Sequence, residues 1–190
     1  MAKAAFFASG SGSNFQAIAE ELEKTNHAAA CLICDKPQAK VIDRARNFGI
    51  PVHIVSYKGK KRIEAEAEIH SILDNYAPDL LVLAGYMRIL TPSFVDRYPQ
   101  GIVNIHPSLL PKHPGTHAIE KSYNSSDSEL GITIHWVDHG TDTGPVITQK
   151  SIQRMSSQSL EETEERIHQL EHTWYPKTII QLLNSKDQKS

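Results

Sequence analysis

Cysteine is scarce in this 190-residue chain, charge of either sign is not in excess, and no long apolar run occurs. Each shortage excludes a class of protein. A formal net charge of −2 and a pI near 6.5 leave no general basic surface for nucleic acid, so any phosphate recognition has to be local. The N-terminal apolar run Ala4–Ala8 is too short for a signal-peptide core, and no later stretch is long enough to cross a bilayer. A cytoplasmic location with no membrane partner is expected. The two cysteines, Cys31 and Cys34, form a C-x-x-C that suits redox or zinc chemistry, but no second Cys/His pair at zinc spacing accompanies them. Their surroundings, Ala28–Asp35, read as a buried strand and not as the mouth of a helix where such a pair is activated. Two small core thiols and no metal site are therefore expected. Repeats and low-complexity linkers are also missing, and a chain of this length with 39% hydrophobic residues supports one sizeable core, not two. The expectation is a single domain over 1–183 with a polar tail at 184–190.

Strand-like and helix-like segments alternate through the first two thirds. Ala4–Ser9, Ala28–Cys34, Val52–Val55 and the continuous apolar run Asp79–Gly85 read as strands. Phe15–Lys24, Ala39–Phe48 and about Lys61–Tyr76 read as helices, the last from Ile69, Ile72, Leu73 and Tyr76 at three- and four-residue spacing. Pro51, Pro78 and Pro99 each stop a helix just before a strand. After Ile102–His106 the pattern changes. A loop and a short helix lead to two β-rich runs, Gly131–Val137 and Pro145–Ile152, whose short turn-rich connection favours an antiparallel pair. A capping-box pattern at Ser159–Glu162 opens a final helix, which Pro176 should kink or restart. The predicted class is α/β: a doubly wound, mostly parallel sheet with antiparallel strands in its C-terminal part.

Three clusters could carry chemistry. In Asn104-Ile105-His106-Pro107, an amide and an imidazole stand two positions apart at the end of a strand, so both face one side and can converge on one substrate atom. An N–H donor beside a titratable ring suits a carbonyl oxygen that gains negative charge, as in acyl or formyl transfer. For a lone His106 the bland reading is a hydrogen-bonded loop histidine. The adjacent Asn104 and the rigid Pro107 and Pro111 argue for the functional one. Asp142, in a Gly-rich connection, is either an ordinary turn acid or a carboxylate that orients His106 and favours its protonated form. The second cluster, Ser9-Gly10-Ser11-Gly12-Ser13-Asn14, lies between the first strand and first helix, where backbone N–H groups can face a phosphate. It lacks the Gly-Lys-Ser/Thr ending of a P-loop. Phe15 stands where a dinucleotide fingerprint has its third glycine, although Asp35 lies where a ribose-binding acid would be, which leaves NAD open. A plain Gly-rich turn is the alternative. The third, Gly85-Tyr86-Met87-Arg88-Ile89-Leu90, follows the most apolar strand and could line a slot for a flat heterocycle, or simply lead into the next helix.

Together these segments, with Asp142-Thr143-Gly144-Pro145-Val146-Ile147, resemble the phosphoribosylglycinamide formyltransferase family of folate-dependent enzymes, over about Lys3 to Leu183. The resemblance implies a formyltransferase fold and formyl transfer from 10-formyltetrahydrofolate, as co-substrate, in purine synthesis. It implies Asn104, His106 and Asp142 as the catalytic trio. Gly12, Ser13, Asn14 and Glu171 are implied for the ribonucleotide substrate, with His168 to Leu170 beside Glu171. Arg62 is implied for the folate tail, Met87, Arg88, Ile89 and Leu90 for the pterin slot together with Asn104, and Asp138, His139, Gly140, Thr141 and Asp142 for the loop closing its other side. Small-molecule substrates are implied, with no nucleic acid and no obligate protein partner. Thr143 stands where many relatives have glycine, and Thr116 follows Gly115 in a loop expected to move; neither removes a functional group. The rivals are a methionyl-tRNA formyltransferase, which normally carries an added C-terminal domain, and a formyltetrahydrofolate hydrolase, which normally carries an added N-terminal one. A nucleotide-binding module using the Gly-rich loop alone would give Asn104, His106 and Asp142 no reason to occur together.

Overall fold

The computed structural model describes residues 1–188, so Lys189 and Ser190 of the expected tail lie outside the described residues. Seven strands form one sheet in the order β3-β2-β1-β4-β5-β6-β7. They are β1 (Lys3–Ala8), β2 (Ala28–Cys34), β3 (Val52–Ile54), β4 (Leu80–Leu83), β5 (Ile102–His106), β6 (Glu129–Trp136) and β7 (Val146–Gln153). The first five pair in parallel, and β6 and β7 are antiparallel, which agrees with the mixed sheet expected.

Period-two alternation decides the layering. Ala4, Phe6 and Ala8 of β1 face a core built with α1 (Ser13–Leu22), α2 (Val41–Asn47) and α6 (Leu160–Asp187), whereas Ala5 and Phe7 face one built with α3 (Arg62–Tyr76) and α4 (Pro92–Asp96). Because both faces are covered, the strands read as unbroken apolar runs. Phe6, Phe7, Phe15 and Phe94 are fully buried, each worth roughly 1.5–3 kcal/mol of hydrophobic burial. Cys31 and Cys34 fall in the two opposite cores, and burial pushes the Cys31 thiol up to about 12. They are packing residues.

Two local outcomes differ from the sequence reading. α6 does not restart at Pro176; it runs unbroken to Asp187, held by the burial of Tyr175, Thr178, Ile179 and Leu183 on both sides of the proline. The segment expected to begin a polar tail at Asn184 is the last turn of that helix, tied back by a 2.8 Å bond between Asn184 Oδ1 and His27 Nε2 and by an ion pair between Asp187 and the N-terminal ammonium. The expected cap is present: Ser159 Oγ accepts from Glu162 N, and Glu162 Oε2 accepts from Ser159 N.

The strand order fixes where a ligand can sit. From β1 the chain builds outward through β2 and β3, then returns to β4 on the other flank of β1 and continues through β5. The connections leaving β1 and β4 therefore run to opposite sides, opening a crevice at the carboxyl ends of these strands.

Candidate functional site

At that crevice lies a cavity of about 640 Å³. The Gly-rich loop after β1 forms one end. Gly12 precedes α1 with φ +75°, and a Cβ there would stand 2.4 Å from Val41 Cγ2, so the close approach of α2 requires glycine. The loop after β4 is tied to the first one: Ser9 N donates to Gly85 O at 3.0 Å, and Met87 N to Ser9 Oγ at 2.8 Å. Tyr175 of α6 donates its buried hydroxyl to the carbonyls of Leu83 and Val103, at 3.0 and 3.2 Å, and so anchors α6 beneath both strand ends.

Anchored in this way, α6 presents Glu171 to the Gly-rich end. The Asn14 amide donates to Glu171 Oε2 at 3.1 Å, while Asn14 Oδ1 is buried and has no hydrogen-bond partner among the described residues. Burial pushes the Glu171 carboxyl up to about 7, against the opposing pull of the Asn14 bond. His168 also lines the cavity.

Asn104 and His106 end β5 and face the cavity, as their spacing predicts. Sequence alone could not place Asp142 beside them. The structure does: Asp142 Oδ2 lies 3.2 Å from His106 Nδ1, and its backbone adopts φ +57°, a left-handed turn that Asp tolerates. Asp142 Oδ2 also accepts from Gly115 N at 2.8 Å, which draws the 107–117 loop against the trio. Burial raises the Asp142 carboxyl, but the facing His135 ring, the Gly115 N–H and the nearby His106 ring together hold it below its usual value. His106 Nε2 lies 2.8 Å from the His113 carbonyl, so both ring nitrogens face acceptors. Lys112 and His113 in turn grip Asp127 at 2.6 and 2.8 Å.

Met87, Arg88, Ile89 and Leu90 line the same cavity, as do Asp138, Gly140, Thr141 and Asp142. Met87 and Ile89 are exposed, the state of an apolar slot open to a ligand. Two of the residues named from sequence stand elsewhere. Arg62 opens α3 and is not on the cavity wall, and His139 turns outward to Asp96 at 2.7 Å. Asp35 is not exposed to a ribose: its side chain is fully buried, with Oδ2 paired to Arg88 Nε at 2.6 Å, and Arg88 covers the Tyr57 ring. Among the cavity residues that sequence reasoning missed is His135, on β6 directly opposite Asn104. Its place on the same face as Thr133 was readable, but the register that sets it against Asn104 was not. Among the described residues, no group of three or more His, Cys, Asp or Glu could hold a metal ion, and no helix is long and apolar enough to cross a membrane.

An amide, an imidazole and a carboxylate on one cavity, which a polar Gly-rich loop and an apolar segment also line, describe a group-transfer site. The family model for formyl transferase matches residues 2–179, and the chain belongs to that family. Among curated relatives, it is 46% identical to phosphoribosylglycinamide formyltransferase of Bacillus subtilis (strain 168), with all of both chains covered. It is 38% identical to the protein of the same name from Escherichia coli (strain K12), over 90% of this chain and 82% of that one. Among solved structures, glycinamide ribonucleotide transformylase 1 from Geobacillus kaustophilus superposes with a TM-score of 0.91 at 45% identity, covering 96% of this chain and 99% of that one.

Proposed function

We propose that this enzyme transfers the formyl group of 10-formyltetrahydrofolate to the amine of 5'-phosphoribosylglycinamide, giving the N-formyl ribonucleotide and tetrahydrofolate in purine synthesis. The observation that carries the reading is that Asn104, His106 and Asp142 line one cavity, with Asp142 Oδ2 3.2 Å from His106 Nδ1. Gly12, Ser13 and Asn14 receive the substrate phosphate, using backbone N–H groups at the start of α1. Glu171, with the unpartnered Asn14 Oδ1 beside it, receives the polar groups of the sugar and glycinamide. The pterin enters between Met87–Leu90 and Asp138–Asp142.

In this pose the glycinamide nitrogen attacks the formyl carbon, and the carbonyl electron pair moves onto oxygen. The Asn104 amide N–H and the protonated His106 ring stabilise that oxyanion. The oxygen competes for His106 Nε2 with the His113 carbonyl, so the 107–117 loop adjusts as substrate binds. Asp142 holds the ring through Nδ1 and takes the proton lost by the attacking amine through a water. The oxyanion then re-forms the carbonyl, the bond from formyl carbon to folate nitrogen breaks, and that nitrogen receives, through the water, the proton that Asp142 took from the amine.

The rival formyltetrahydrofolate hydrolase would use the same trio with water as nucleophile. Thermal shift separates them. Phosphoribosylglycinamide and a non-transferable folate analogue should each stabilise the protein, by about 2.7 kcal/mol at a hundredfold excess over Kd. Stabilisation by the folate alone would replace transfer with hydrolysis, and indifference to folate would leave only a nucleotide-binding module.

A further inference from the structure

We propose that His135 is a positioning residue that fixes the orientation of the Asn104 amide, an inference that rests on the oxyanion role assigned to Asn104. The β5–β6 register sets Asn104 opposite His135, so the two side chains are neighbours on the cavity face of the sheet. The His135 ring is buried, which leaves its hydrogen bonding to the protein. Nδ1 lies 2.9 Å from the Trp136 carbonyl, a group that can only accept. Nδ1 therefore carries the hydrogen, and in the neutral ring Nε2 presents a lone pair.

That lone pair meets Asn104 Nδ2 at 3.3 Å, so the amide donates one N–H to His135. The two faces of an amide differ: turned over, Asn104 would set its carbonyl oxygen against the Nε2 lone pair, acceptor to acceptor. His135 thus selects the arrangement in which the second N–H remains for a carbonyl oxygen in the cavity. The charged group facing the ring is Asp142, from the β6–β7 connection, whose Oδ1 lies 3.6 Å from Nε2. This is longer than the contact with Asn104, and Asp142 Oδ2 is engaged by Gly115 N and His106 Nδ1. The distances fit the tautomer protonated at Nδ1, with Asn104 as the partner of Nε2. Asn104 supplies the donor; His135 ensures that a donor, and not the amide oxygen, points at the reacting carbonyl.

A kinetic double-mutant cycle tests this with wild type, His135→Phe, Asn104→Ala and the double variant, at saturating levels of both substrates. His135→Phe should lower kcat about ten- to hundredfold, with KM for both substrates within about threefold, because the lost function is made in the transition state. In the Asn104→Ala background the same change should cost less than about threefold, since the residue it acts through is gone. His135→Gln, which keeps an acceptor oxygen, should recover kcat to within about fivefold of wild type and also serves if the Phe variant does not fold. Equal losses in both backgrounds, or a Gln variant as impaired as a loss of Asn104, would overturn the inference while leaving the oxyanion role intact. If Asn104→Ala alone lost less than about tenfold, both would fall.

Discussion

Glu171 offers the most quantitative handle on the site, because its burial has a measurable consequence for the fold. Its carboxyl is raised from 4.5 to about 7, chiefly by desolvation on α6, with the Asn14 amide opposing. Between these values the folded chain binds a proton that the unfolded chain has lost, so stability falls as pH rises. The contribution is fully present below about pH 4.5 and is lost as pH passes through about 7. At about 1.4 kcal/mol per unit, the shift corresponds to about 3 kcal/mol. Glu171→Gln keeps the shape and an oxygen for Asn14 but removes the titration. The variant should match the wild type near pH 4.5 and exceed it by about 3 kcal/mol at pH 8, or roughly 6–12 °C in Tm for a chain of this size. Denaturant unfolding and thermal scans of both proteins across that range provide the assay. Parallel stability curves, with a constant gap at every pH, would refute the claim that Glu171 is protonated by its burial.

Two further changes probe the trio and the loop. Asp142→Asn removes the charge held near His106 at 3.2 Å and should abolish the alkaline limb of the kcat profile or move it to lower pH; an unchanged profile would remove Asp142 from the scheme. The stability that Asp142 confers is present above its usual carboxyl value of 3.8 and lost as pH falls through its lower folded value, so the Asn variant should also show a weaker loss of stability in acid. Gly12→Ala forces a left-handed backbone and a clash with Val41 and should cost roughly 2–4 kcal/mol in denaturant unfolding, together with a raised KM for the phosphorylated substrate; an unaltered unfolding midpoint would contradict the packing given for the loop.

Much of the fold was legible because local pattern and tertiary role agree. The unbroken apolar runs of β1, β2 and β4 mark strands covered on both faces, and Ser159 with Glu162 announces the start of α6. Pro176 does not restart the helix, because propensity is local whereas the nearby Tyr175 and Ile179 are held by long-range burial. In the site, Asn104 and His106 were readable from a spacing of two along one strand. Asp142 could be named by resemblance, but its approach to His106 depends on a loop that closes 36 residues later in the chain, which no short-range pattern encodes. His135 was hidden for the same reason, since strand register is a tertiary property. Arg62 and His139 show the converse: a position can match a motif while its side chain stands away from the cavity wall.

The central claim is that one cavity brings a formyl carbonyl to Asn104, His106 and Asp142 with an amine as the nucleophile. Its most direct test is transfer of an isotope-labelled formyl group from 10-formyltetrahydrofolate, followed in parallel as labelled ribonucleotide and as labelled formate. The account predicts one labelled ribonucleotide for each tetrahydrofolate released, little formate, and a fall of about 10²–10³ in kcat for Asn104→Ala. Label appearing as formate at the same rate with or without phosphoribosylglycinamide would contradict it.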